Sequence, residues 1–164
     1  MKTPREILFR AKRIDNGGWV EGYYCTKKPY CFDNRTEPNH IIITEFSVTG
    51  TVYYEIDPTT LSQFTGWKDS HGNRIFENDI VEIVSSPRTS YKYLIWWNRE
   101  MSMMEAIDFR SINFNGHDYW NDKTHRDYET FCLMLQDPWG DVSEIKVIGN
   151  LFDNYKIVKE ALNE

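Results

Sequence analysis

Apolar residues in this chain fall in short alternating, β-branched or aromatic runs, and each run is soon closed by glycine, proline, asparagine or aspartate. That pattern favours strands joined by tight turns over helices. Ile7, Phe9 and Ala11 alternate with Leu8, Arg10 and Lys12, so one strand face is apolar while Arg10 and Lys12 share the other. Asp15-Asn16-Gly17-Gly18 tolerates positive φ and leads into a second strand at 19–24. Residues 41–46 and 51–56 flank Val48-Thr49-Gly50 as a second hairpin, and Asp57-Pro58-Thr59-Thr60 suits one capped helical turn.

Further along, 63–68, 69–74 and 75–84 read as strand, turn and strand. Between 91 and 97, Tyr91, Tyr93, Ile95 and Trp97 oppose Lys92, Leu94 and Trp96. Bulk on both faces marks a central strand. Residues 101–110 fit an irregular strand better than a short helix, 111–127 is a long polar loop, and 128–136 and 144–152 are further strands. Asp153 or Asn154 caps a closing helix carrying Tyr155, Val158 and Leu162 near one face. The expectation is a mainly β fold on the α+β border: one domain over 1–164, with hairpins forming a barrel-like antiparallel sheet and a short C-terminal helix.

No uncharged apolar stretch is long enough to cross a bilayer, and Met1-Lys2-Thr3-Pro4-Arg5-Glu6 does not open a secretory signal, so a cytoplasmic protein of a bacterial host cell is expected, with no membrane partner. Cys25, Cys31 and Cys132 are odd in number and lack a CxxC pair, which fits packed thiols in a reducing compartment. A net charge of −6 argues against broad, salt-driven binding to nucleic acid. A local basic patch at Arg5, Arg10, Lys12, Arg13, Lys27 and Lys28 is the exception, and it reads either as a solvated strand face or as a nucleic-acid contact.

Three blocks carry a family resemblance. Arg5-Glu6-Ile7-Leu8-Phe9-Arg10-Ala11-Lys12 with Trp19-Val20-Glu21-Gly22-Tyr23 resembles the opening of the YopX family, named for a Bacillus prophage protein. Gln63-Phe64-Thr65-Gly66-Trp67-Lys68-Asp69 and Gly72-Asn73-Arg74-Ile75-Phe76-Glu77-Asn78-Asp79-Ile80-Val81 resemble its central signature, and Val147-Ile148-Gly149-Asn150-Leu151-Phe152-Asp153-Asn154 its close. Trp67 stands where the family usually has leucine, and Asn78 where glycine is usual. The resemblance implies phage or prophage origin and a β-rich, barrel-like fold. It implies no activity.

The central block has two readings. In the structural one, Gly66 and Gly72 supply backbone freedom, Asp69 caps a turn, and Phe64, Ile75, Ile80 and Val81 pack. In the functional one, Thr65, Lys68, Asp69, Glu77 and Asp79 line a groove, with Glu77 and Asp79 on one strand face as paired acids for Mg²⁺. The other polar cluster, Gly116-His117-Asp118 with Asp122 and His125-Arg126-Asp127, matches no coordination motif. No catalytic constellation, cofactor motif or metal site is assigned.

Trp19, Tyr23, Tyr24, Tyr91, Tyr93, Trp96, Trp97 and Trp120 are core fillers or a partner-binding hot spot. The leading functional expectation is a non-catalytic accessory module that binds an unidentified protein partner, self-association included. A nucleic-acid-binding small β-barrel is the alternative, and a metal-dependent hydrolase the third reading.

Overall fold

The computed structural model describes residues 6–28, 38–86, 88–108, 129–130 and 143–155. The fold is mainly β, in two antiparallel sheets, and no helix among the described residues is long and apolar enough to cross a membrane. The strands are β1 Phe9–Lys12, β2 Trp19–Lys27, β3 Asn39–Ser47, β4 Gly50–Glu55, β5 Ser62–Lys68, β6 Arg74–Phe76, β7 Asp79–Ser86, β8 Thr89–Asn98, β9 Met103–Asp108, β10 Glu129–Thr130 and β11 Glu144–Asn150. The first sheet runs β4-β3-β2-β1-β5-β6 and the second β10-β9-β8-β7-β11.

The chain divides into two compact units, Met1–Gly66 and Trp67–Glu164. No linker is visible in the sequence because the boundary falls inside β5, at Gly66 with φ +92°. Each unit has its own core. In the first, Ala11, Val20, Ile42 and Ile56 are buried together, with Phe9, Tyr24, Tyr54 and Leu61 packed around them. The apolar alternation of β1 thus faces this core, while Lys12 lies opposite Trp19 on the other face. Gly22 is required here, because a Cβ would run into the backbone carbonyl of Ile43 on β3.

The expected barrel is corrected to open sheets. In the first unit, closure goes no further than a single bridge between Arg13 and Ile56, with the Ile14 N–H donating to the Glu55 carbonyl at 3.1 Å. β1 has only four residues, its ladder with β2 ends at Lys12, and among the described residues the outer side of β4 is met only near its end, by that bridge. The Asp57 side chain accepts from the Thr59 N–H at 2.9 Å and caps the 3-10 turn Pro58–Thr60, as expected of its sequence.

In the second unit, Ile75, Val81, Ile83, Ile95, Ala106 and Ile145 form the core, with Trp67, Tyr93, Met104 and Val147 against it. β8 is the middle strand of its sheet, and Leu94 and Ile95, on its opposite faces, are both buried. That agrees with the two-sided bulk of its sequence. Residues 103–108 are the strand read from an ambiguous pattern. The positions expected to form the closing helix, from residue 156 onward, fall outside the described residues, as do Arg5, Cys31, Trp120, Cys132 and residues 111–127, expected as a loop.

Asn78 joins β6 to β7 with φ +65° while its N–H donates to the Ile95 carbonyl at 2.7 Å and its carbonyl accepts from Leu151 at 2.9 Å. A left-handed residue with both backbone groups engaged tolerates asparagine or glycine and resists a β-branched side chain. Asn78→Val should lower the melting temperature by about 3–8 °C and Asn78→Gly by clearly less. Equal losses in thermal denaturation would show that backbone conformation is not the constraint at this site.

Candidate functional site

Asp69 is 6% exposed, and its carboxylate accepts four hydrogen bonds. Its Oδ1 accepts from the N–H groups of His71 and Asn73 at 2.9 and 2.8 Å, closing the turn between β5 and β6. Its Oδ2 accepts from Asn73 Nδ2 at 3.0 Å and from the Val147 N–H on β11 at 3.2 Å. Burial pushes the carboxyl pKa up, but the donors from the Asn73 side chain and the Val147, Asn73 and His71 amides outweigh it and hold the group below its ordinary value. Next to it, the Ser70 N–H donates to the Ile145 carbonyl and Ile145 donates back to Ser70 Oγ, both at 2.9 Å. The turn is thereby stitched to β11.

The rest of the central block follows the same logic. Thr65 is buried, Lys68 is exposed, and Gly66 and Gly72 both have positive φ. Asp79 is fully buried at the start of β7, and its carboxylate accepts from the Phe76 N–H at 2.8 Å. Glu77 lies in the turn before β7 rather than on a strand, so the two acids do not share the strand face their spacing suggested. Among the described residues no three of histidine, cysteine, aspartate and glutamate gather to hold a metal.

The closing block meets the central one in the β7–β11 ladder, where Asn150 pairs with Asp79. Asn150 Oδ1 accepts from Phe152 and Asp153 at 2.9 Å each, and its Nδ2 donates to Asp153 Oδ2 at 2.9 Å. Asn154 Oδ1 accepts from the Asn150 N–H at 3.1 Å and fills the space a Cβ on Gly149 would take. Glycine at 149 is therefore needed for this asparagine clasp.

The first unit offers a different kind of surface. Arg10 and Lys12 of β1 sit over the Trp19 ring, with their charged ends 4.8 and 5.6 Å from its centroid. Lys27 lies 4.6 Å from the Tyr53 centroid and donates to its Oη at 2.8 Å. Strand alternation and register place Arg10, Lys12, Trp19, Glu21, Tyr23, Lys27, Phe46 and Tyr53 on one face of β1–β4. Tyr23, Phe46 and Tyr53 are 54, 67 and 41% exposed. Arg13 lies elsewhere, 4.0 Å over Tyr54 and paired with Asp15, while Lys28 is exposed beyond the end of β2. Among the described residues, Arg10 and Lys12 thus lie apart from Arg13 and Lys28.

A family model described as YopX protein matches residues 8–159. The chain belongs to the YopX family. Comparison with curated proteins finds no match. The YopX blocks at 63–81 and 147–154 are the residues that meet around Asp69, Asn78 and Asn150, and Trp67, the departure from the usual leucine, packs against the second core.

Sequence reasoning missed Phe46, Val48, Val52 and Tyr53 as an exposed apolar group. The available signal was a hairpin with bulk on both faces and few charges, which reads equally as a buried strand until its place at the end of a sheet is known.

Asp69→Ala leaves the His71, Asn73 and Val147 amides without their acceptor and should cost at least about 2 kcal/mol. Because the folded carboxyl titrates below its ordinary value, its stabilisation is complete above the unfolded pKa, about 4, and is lost as pH falls through the folded pKa. Denaturant titrations should show wild type losing stability more steeply than Asp69→Asn below about pH 4; parallel acid limbs would contradict this.

Proposed function

We propose that this YopX-family chain is a non-catalytic accessory module of a phage or prophage, working in the host cytoplasm and binding a protein partner through Tyr23, Phe46 and Tyr53, the exposed aromatic residues on one face of β1–β4. The observation that carries the reading is the composition of that face. Trp19, Tyr23, Phe46 and Tyr53 are gathered on one side of a sheet with Arg10 and Lys12, and aromatic residues and arginine are the side chains that anchor protein interfaces.

Charge favours a protein over nucleic acid. Arg10, Lys12 and Lys27 share the face with Glu21, and each of the three cations lies over an aromatic ring. Such cation–π contacts contribute about 0.5–1 kcal/mol apiece at exposed sites and fix long side chains that would otherwise lose entropy on binding. A backbone-tracking nucleic-acid groove needs a larger excess of positive charge. The arrangement of arginine and lysine around one tryptophan is the feature that favours the alternative, nucleic-acid-binding reading.

Phe46→Ala should leave folding unchanged within about 0.5 kcal/mol, because the side chain is already mostly in water. In affinity capture from host cells, quantified against wild type, the same substitution should weaken retention of a specific protein about 30-fold, equivalent to about 2 kcal/mol. Indistinguishable captured sets would remove the reading. A mobility shift at low salt that Trp19→Ala abolishes would replace it with the nucleic-acid alternative.

A further inference from the structure

β4 ends the first sheet, and among the described residues only its last ones are covered on the outer side. Ile14 donates to the Glu55 carbonyl and Arg13 bridges Ile56, whereas Gly50 to Glu55 is exposed apart from half-buried Tyr54. The Ile56 N–H donates to the His40 carbonyl on the β3 side. By strand alternation, residues 52 and 54 also turn their backbone groups toward β3, and Thr51 and Tyr53 turn theirs outward. Natural edge strands are commonly blunted by lysine, proline or a covering element, and residues 50–54 contain no proline and no charge. Val52 and Tyr53 are 42 and 41% exposed there, and Val48 at the hairpin tip is fully exposed.

We infer that this edge is completed by a second copy of the chain, paired antiparallel through a two-fold axis at Val52. The register follows from the backbone. An axis perpendicular to the sheet must pass midway between one residue of β4 and the same residue of the second copy. Centred on Tyr53 it would oppose Thr51 to Glu55, whose carbonyl already accepts from Ile14. Centred on Thr51 it would draw in Thr49 of the hairpin loop. Centred on Val52, the N–H and C=O groups of Thr51 in each copy exchange hydrogen bonds with those of Tyr53 in the other.

The side chains suit the same register. Val52 meets Val52 and Thr51 meets Tyr53, the β-branched and aromatic cross-strand pairs that stabilise antiparallel ladders. A chain of net charge −6 here meets its own copy with no charged residue inside the paired stretch. That self-complementarity selects a second copy over an unrelated peptide. Val52 opposes Glu45, on the sheet face away from Tyr23, Phe46 and Tyr53, so this inference and partner binding by that face fail separately.

Sedimentation from about 1 µM to about 1 mM tests it, since an interface of one short strand pair belongs at the weak, small end of the range. The mean mass should rise from 19.6 kDa toward twice that value. Val52→Lys and Val52→Glu should each remain monomeric with an unchanged circular dichroism spectrum, and their equimolar mixture should associate again because the axis sets position 52 against position 52. A monomeric wild type at about 1 mM overturns the inference. So do variants that associate like wild type, and so does a mixture that stays monomeric.

Discussion

A carboxylate taken out of water needs donors on both oxygens, and Asp69 has them from its own turn and from a strand nearly eighty positions away in the chain. The turn donors alone would make Asp69 an ordinary local cap. The Val147 amide makes it long-range, because the turn geometry and the position of β11 now specify one another. Asn78 does the same at the other end of β6, where one left-handed residue hydrogen-bonds to both Ile95 and Leu151. Asp79, opposite Asn150, completes the set.

These polar contacts locate the strands, while apolar burial supplies most of the stabilising free energy. Fully buried Ile75, Val81 and Ile95 are each worth about 1.5–3 kcal/mol relative to exposure. A hydrogen bond contributes about 1 kcal/mol net, yet an orphaned buried donor costs more than that. The YopX blocks therefore hold residues whose loss is expensive and whose presence adds little, as expected of groups that specify a structure. Their burial also withdraws them from chemistry. The first unit differs: Tyr23, Phe46 and Tyr53 are exposed on one sheet face, with half-buried Arg10 and Lys12 over Trp19.

Much of this was legible in the sequence, for physical reasons that differ between elements. Asp57 and Asp69 cap turns because aspartate followed two residues later by a free amide is a local arrangement, readable without the fold. The central position of β8 was readable because bulk on both faces leaves a strand nowhere to meet water. Closure of a barrel was not, since it depends on whether β1 outlasts its pairing with β2, and a four-residue strand does not. Strand alternation already put Arg10 and Lys12 on one face, but their position over Trp19 was not legible. That follows from the hairpin register, which the turn residues constrain only loosely.

The central claim, that the YopX signature is a buried structural lock, is tested most directly by native-state amide hydrogen exchange at His71, Asn73, Phe76 and Val147. These amides donate to Asp69 or Asp79. The account predicts that all four exchange only through a shared, cooperative opening, with protection approaching that of Ile95 in the core. Rapid, independent exchange at these amides while Ile95 stays protected would contradict it.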